Sequence, residues 1–133
     1  MVRLGGEVIA DTTSSFRVLE TSHPPTYYLP RSSFADGVLE PVAGSSMCEF
    51  KGRAAYLTLR SERASAPRAA WYYPTPQPGF EQLADHIALY PGMVDSCEID
   101  GETVLAQDGD FYGGWITSRV VGPFKGAAGT LGW

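Results

Sequence analysis

Hydrophobic and polar residues alternate over short runs along most of this chain, a pattern typical of half-buried β-strands. The clearest run covers residues 54–60, where Leu57 and Leu59 would face one side of a sheet and Tyr56 and Thr58 the other. Six or more such runs in one chain, separated by polar or Gly- and Pro-containing segments, predict a mainly β fold built from antiparallel sheets.

Further strands are predicted at Glu7–Asp11, Phe16–Glu20, Thr26–Leu29, Ala69–Tyr73, Met93–Ile99, Glu102–Ala106 and Phe111–Val120. The first two are expected to pair as a hairpin across the polar residues 12–15. Asp100-Gly101 is the strongest hairpin signal, because a type I′ turn needs positive φ at both central residues. Residues 31–46 are expected to form a loop, with one helical turn near 33–38.

One short helix is predicted from the i, i+3, i+4, i+7 spacing of four apolar residues, Phe80, Leu83, Ala84 and Ile87. It would begin near Gly79 and must end by Tyr90, because Pro91-Gly92 follows. The segment 86–90 also fits a strand, and the pattern does not decide between the two.

The length of 133 residues favours a single domain, 1–133, of which 122–133 form a Gly-rich C-terminal tail. Fifteen glycines and ten prolines favour many short elements joined by turns. The 44% hydrophobic and 19% charged composition is that of an ordinary globular protein.

The net charge of −5 makes nonspecific binding to nucleic acid or to an anionic membrane surface unlikely on electrostatic grounds. No apolar segment is long enough to span a bilayer, and the N-terminal residues lack the apolar core of a secretory signal. Two cysteines fit a reduced protein at least as well as one disulfide, so the predicted location is cytoplasmic.

Local motifs for metals, nucleotides and hydrolases are absent. The sequence has neither Cys-x-x-Cys nor His-x-x-x-His spacing, so no metal site is predicted. The segment from Gly122 to Gly126 contains Lys125 but lacks the ending of a phosphate loop, and Pro123 removes one amide donor. No cofactor is expected.

Polar residues interleaved with aromatic ones are the best candidates for a binding site. A pocket combines apolar walls with a few orienting polar groups, and eight residues supply that mixture: Arg17, Glu20, Tyr28, Cys48, Lys51, Tyr56, Trp71 and Tyr73. The predicted ligand is small and polar or anionic. The alternative is that the rings are half-buried sheet residues and the charges form structural pairs.

Cys48 is the candidate for a catalytic thiol, because Lys51 three residues away could favour the thiolate. The alternative is a buried, inert cysteine. Cys97 alternates with Met93, Asp95 and Ile99 and is predicted to face the core.

The C-terminal segment suggests a different class of function. Trp115, Phe124, Lys125 and Trp133 could form an exposed strip that docks a partner or a second copy, or could cover the domain's own sheet edge. The expected state is a monomer or a homodimer.

Several stretches, taken in order, resemble a known family. They are Arg17-Val-Leu-Glu-Thr21 with Tyr27-Tyr-Leu-Pro30, Cys48-Glu-Phe-Lys-Gly52, Ala70-Trp-Tyr-Tyr-Pro74, His86-Ile-Ala-Leu-Tyr90 and Asp100-Gly-Glu102. Their order and spacing resemble the bacterial and fungal family catalogued as domain of unknown function four-two-seven. Phe111-Tyr-Gly-Gly-Trp-Ile-Thr117 with Val121-Gly-Pro-Phe-Lys-Gly126 resembles the C-terminal extension of one branch.

The resemblance implies antiparallel sheets in an Mss4-like, or β-tent, topology. It implies no established activity, and the nucleotidyltransferase-like label of the family has no support in these residues. Glu49 and Phe50 stand where the family usually has proline and tyrosine, so the resemblance carries over no role for those two positions, whereas Cys48 and Lys51 match the pattern. The order of preference is a non-metal small-ligand binding domain, then an interaction domain, then a cysteine-dependent enzyme.

Overall fold

The computed structural model describes residues 1–18, 25–48, 52–99, 101–106 and 114–117, and for residues 46–48 only the backbone. These ranges contain twelve β-strands: β1 Val2–Leu4, β2 Glu7–Ala10, β3 Phe16–Val18, β4 Thr26–Pro30, β5 Leu39–Cys48, β6 Gly52–Arg60, β7 Ser65–Tyr72, β8 His86–Leu89, β9 Ser96–Ile99, β10 Glu102–Thr103, β11 Leu105–Ala106 and β12 Trp115–Ile116. The prediction of a mainly β protein with antiparallel sheets is confirmed. The Mss4-like topology stays a prediction.

The described strands form three antiparallel sheets. The largest has the order β3-β4-β8-β7-β6-β5, the second has the order β10-β9-β1-β2, and β11 pairs with β12. The strand β8 joins two halves of the large sheet, because Leu29 of β4 is its partner on one side and Ala70 of β7 on the other.

The main core lies between the two larger sheets. Leu57, Ile87 and Leu89 of the large sheet share one cluster with Val2 and Cys97 of the second sheet, and each of these residues is at most 1% exposed. Full burial of a leucine or isoleucine side chain contributes about 1.5–3 kcal/mol, so this contact holds the two sheets together. The predicted core position of Cys97 is confirmed.

The opposite face of the large sheet carries a second apolar cluster. Its buried members are Tyr28, Ala54, Trp71, Tyr73, Leu83 and Ala88. Because successive side chains of a strand point to opposite faces, Leu57 contributes to the main core while Tyr56 packs against this second cluster. The alternation predicted for residues 54–60 is therefore confirmed.

The predicted helix at residues 80–87 is wrong. Only Glu81–Leu83 forms a 3₁₀ turn, and His86–Leu89 is a strand, as the alternative reading allowed. Asp85 lies between the turn and the strand, and its φ of 60° is incompatible with a continuous right-handed helix. Ile87, Ala88 and Leu89 are all fully buried because the central strand is covered on both faces, and such a run has no strand periodicity.

The predicted hairpin between Glu7–Asp11 and Phe16–Glu20 is also wrong, because β2 and β3 belong to different sheets. The strand β2 instead pairs with β1, and Leu4 lies opposite Glu7. Gly5 and Gly6 both have positive φ, which gives a two-residue hairpin turn that glycine adopts readily. The polar residues 12–15 connect the sheets.

The expected loop at residues 31–46 contains the long edge strand β5. Its alternation is hidden by Pro41 and by Gly44, and the register with β6 shifts between Pro41 and Ser45. Edge strands accept proline, glycine and bulges, since one side of the strand has no ladder to complete. The helical turn expected near 33–38 forms slightly earlier, as a 3₁₀ turn at Arg31–Ser33.

The hairpin expected at residues 100 and 101 is confirmed. Ile99 of β9 lies opposite Glu102 of β10, and Gly101 has a φ of 81°. Of the predicted strand Phe111–Val120, residues 111–113 and 118–120 lie outside the described residues. Within the described part, Trp115–Ile116 forms the strand β12.

Candidate functional site

Four of the eight predicted site residues lie on one face of the large sheet. Tyr28, Tyr56, Trp71 and Tyr73 all belong to the second apolar cluster. The rings of Tyr28 and Tyr73 have centroids 6.3 Å apart, and both residues are at most 5% exposed. We call this set of rings the aromatic face; its burial gives it the character of a second core more than that of an open cleft.

Arg68 lies at the rim of the aromatic face. Its guanidinium carbon is 4.4 Å from the centroid of the Tyr56 ring, and its Nη1 donates to the carbonyl of Ala43 at 2.8 Å. Its φ of 54° is unusual for a residue with a side chain, and its amide donates to Thr58 Oγ1 at 3.3 Å. Arg68 therefore combines a strained backbone with a packed guanidinium.

Tyr90 completes this rim. Its ring lies 4.7 Å from that of Trp71, centroid to centroid. Burial raises the pKa of the Tyr90 phenol, the neighbouring Tyr56 phenol raises it further, and Arg68 partly opposes both. The group is a neutral phenol at physiological pH.

Arg17 does not join the aromatic face. It is paired in register with Tyr27, whose side chain packs against the main core, whereas Tyr28 packs on the opposite side of the sheet. The predicted constellation therefore does not converge in one cleft: Arg17 and the four rings lie on different faces.

The remaining predicted site residues are not decided by the structure. Glu20 and Lys51 lie outside the described residues. The backbone of Cys48 pairs with Gly52 at the end of the β5–β6 ladder, and its side chain is not described. The roles predicted for these three residues stay predictions.

A cavity of about 590 Å³ opens at one end of the space between the two larger sheets, on the side where Arg17 lies. It is lined by residues from four strands, from the connection after β2, from the turn after β9, and by the residue that precedes β1. They are Met1, Asp11, Thr12, Thr13, Ser15, Arg17, Tyr27, Leu29, Glu98, Ile99, Gly101 and Trp115. Its volume falls within the roughly 300–1,000 Å³ range of small-molecule sites.

Two stacked rings form one wall of this cavity. The centroids of Tyr27 and Trp115 are 5.1 Å apart, with 29° between the ring planes. Trp115 is fixed by its backbone, whose amide donates to the carbonyl of Pro25 at 2.8 Å, and by its indole, which donates to the carbonyl of Leu89 at 3.4 Å. These two hydrogen bonds position the indole within the wall.

Ionisable side chains of both signs line the same cavity. Arg17 is exposed, Asp11 is exposed and Glu98 is half-buried. Among the described residues, none of these three side chains forms an ion pair. The hydroxyl-bearing residues Thr12, Thr13 and Ser15 add donors and acceptors.

The family described as Domain of unknown function (DUF427) matches residues 1–100. The chain belongs to this family. The match ends before Trp115, so the aromatic wall of the cavity combines a residue from the matched region with one beyond it. No curated protein matched the chain in a sequence comparison.

For Trp115 of this DUF427 protein, the sequence left open an exposed docking strip or packing on the domain itself, and the structure shows packing on the domain. Its exposure is 3%, because it packs against the main core and stacks on Tyr27. Phe124, Lys125 and Trp133 lie outside the described residues, so the predicted docking strip stays a prediction for them.

The remaining cysteine of the DUF427 protein has no catalytic character. Cys97 is 1% exposed, and burial raises the pKa of its thiol to about 12. A thiol in that state is a poor nucleophile. Within the described ranges, no group of three or more His, Cys, Asp or Glu residues could hold a metal ion.

Sequence reasoning missed most of the cavity. The sequence does not distinguish Tyr27 from its neighbour Tyr28 as a site residue, and the feature that separates them is the pairing of Tyr27 with Arg17 across β3 and β4. Asp11 and Glu98 resemble ordinary surface charges in the sequence, since nothing in it brings them together.

The helices of the described chain include none that is long and apolar enough to cross a membrane.

Proposed function

We propose that this DUF427 protein binds a small polar ligand in the cavity between its two larger sheets. The observation that carries the proposal is the combination, in one 590 Å³ space, of a stacked aromatic wall with charged side chains that are not paired among the described residues. Ligand sites of proteins combine apolar walls with a few polar groups in this way. No metal or cofactor enters the proposal.

Arg17 is the residue that we assign to the polar end of the ligand. Its guanidinium offers several donors in a planar arrangement suited to a carboxylate or phosphate. Tyr27 is its cross-strand partner, so a ligand held by Arg17 would have its apolar part beside the aromatic wall.

The test is a screen of small carboxylates, phosphates, amino acids and polyols by thermal shift, followed by calorimetry on the compounds that raise Tm. A ligand of this cavity should lose about ten-fold or more in affinity in Arg17→Gln, because a charge-assisted hydrogen bond is removed. Arg63→Gln, an exposed arginine outside the cavity lining, is the matched control and should bind normally. Equal binding by Arg17→Gln and Arg63→Gln would overturn the proposal.

The predicted cytoplasmic location supports a soluble metabolite as ligand and stays a prediction. The enzyme and interaction hypotheses rest on Cys48 and on the C-terminal tail, and no described contact favours either of them.

A further inference from the structure

We infer that the ligand of the cavity is a zwitterion of the amino-acid type, with a carboxylate, an ammonium group and an apolar body. This inference rests on the proposed function and narrows its ligand class. The observation behind it is the sign of the ionisable groups that line the cavity: the Arg17 guanidinium and the N-terminal ammonium of Met1 are positive, and the Asp11 and Glu98 carboxylates are negative.

These three side chains do not neutralise one another. Elsewhere in the described chain, an arginine near a carboxylate forms an ion pair, as Arg31 does with Asp85 at 3.3 Å and Arg60 does with Glu40. No such pair joins Arg17 to Asp11 or Glu98, although all three line the same space. Arg17 and the two carboxylates therefore line the cavity without being paired with one another.

A ligand with only one kind of charge fits this lining poorly. An anion attracted by Arg17 and by the N-terminal ammonium of Met1 is repelled by the two carboxylates, and a cation attracted by the carboxylates is repelled by those two positive groups. A zwitterion satisfies both, since its carboxylate can accept from the guanidinium while its ammonium donates to a carboxylate.

The aromatic wall fits the same ligand class. An apolar side chain can pack on the Tyr27 and Trp115 rings, and an ammonium group is attracted to the face of either ring. The backbone and indole hydrogen bonds of Trp115 hold this wall in place, which lowers the entropic cost of binding.

The experiment uses three probes with the same apolar body: L-phenylalanine, 3-phenylpropionate, which lacks the ammonium group, and phenethylamine, which lacks the carboxylate. Calorimetry on the full chain at fixed low salt should give an affinity for phenylalanine about ten-fold or more above that for either analogue. Low salt matters because screening weakens the attraction between partly exposed charges.

Variants then assign each charge to its partner. Arg17→Gln should weaken the binding of phenylalanine and phenylpropionate and leave the binding of phenethylamine unchanged or tighter. Asp11→Asn combined with Glu98→Gln should weaken the binding of phenylalanine and phenethylamine and leave that of phenylpropionate unchanged or tighter. Glu62→Gln, an exposed carboxylate outside the cavity lining, is the control and should change none of the three affinities.

The outcomes separate this inference from the proposed function. Equal affinity for phenylalanine and phenylpropionate, or no binding of any probe, overturns the zwitterion. The proposed function is lost only if the wider screen also yields no compound whose binding depends on Arg17. A charge-dependent swap between the two sets of variants supports both.

Discussion

The left-handed backbone of Arg68 predicts that glycine is more stabilising than alanine at this position, whereas alanine is the more stabilising of the two at an ordinary strand position. Arg68 has a φ of 54°, and an L-residue in this region costs roughly 1–2 kcal/mol relative to a right-handed one. Glycine avoids that cost but loses about 0.5–1 kcal/mol relative to alanine through backbone entropy. Arg68→Gly should therefore be more stable than Arg68→Ala, although both variants lose the ring of Tyr56 and the carbonyl of Ala43 as contacts.

Arg53 provides the control because it is an exposed arginine of β6 and is not among the described residues with positive φ. There the order should invert, with Arg53→Ala more stable than Arg53→Gly by about 0.5–1 kcal/mol. The entropy of glycine cancels between the two positions, so the difference between the two Gly-minus-Ala values should be about 1–2 kcal/mol.

Urea unfolding followed by tryptophan fluorescence measures all four variants. With m of about 1–3 kcal/mol/M, the inverted order appears as a resolvable change in midpoint, provided that m is the same throughout. The same order of alanine and glycine at both positions would refute the claim that the Arg68 backbone is strained.

Gly52 and Cys97 give the remaining predictions. A Cβ at Gly52, where φ is 114°, would lie 3.0 Å from the carbonyl oxygen of Thr75. Gly52→Ala should therefore destabilise the protein by about 1–3 kcal/mol more than Gly79→Ala, because Gly79 also has positive φ but has open space around its Cβ position. Equal urea midpoints for the two variants would contradict this contact. In a Cys48→Ser background, iodoacetamide at pH 8 should leave Cys97 unmodified in the native protein and modify it in urea, and rapid native labelling by mass spectrometry would show that the thiol is accessible. The pKa of the Cys97 thiol is raised from 9.0 to about 12, so between those pH values the unfolded chain holds fewer protons than the folded chain and stability falls as pH rises, by about 1.4 kcal/mol per pH unit. Cys97→Ala should lack this component of the alkaline loss of stability, and identical pH profiles of the two proteins would contradict it.

Local patterns were sufficient for the half-buried strands. The alternation in residues 54–60 and the turn signal of Asp100-Gly101 are set by contacts close in sequence, and both predictions are confirmed. Local patterns did not distinguish the strand β8 from a helix, because a strand buried on both faces has the same apolar run as a short buried helix.

The candidate site depended on pairings that no local pattern contains. Tyr28, Tyr56, Trp71 and Tyr73 do lie together, since β4, β8, β7 and β6 are consecutive in the large sheet and the four residues pack on the same face. Arg17 is separated from them by a single step of strand alternation, because its partner is Tyr27. The sheet pairing that decides such a step links residues far apart in the chain, and the sequence does not specify it.

The size of the residues in β8 has a consequence for how the large sheet assembles. Ile87 and Leu89 fill the main core, while Ala88 lies opposite Trp71 on the aromatic face. A slip of one residue would exchange the two faces, so that a bulky side chain would meet the indole and a methyl group would leave a void in the core. Both sides of β8 are apolar, so polarity alone would tolerate either arrangement. Steric size, and not solubility, therefore selects the native register of the central strand.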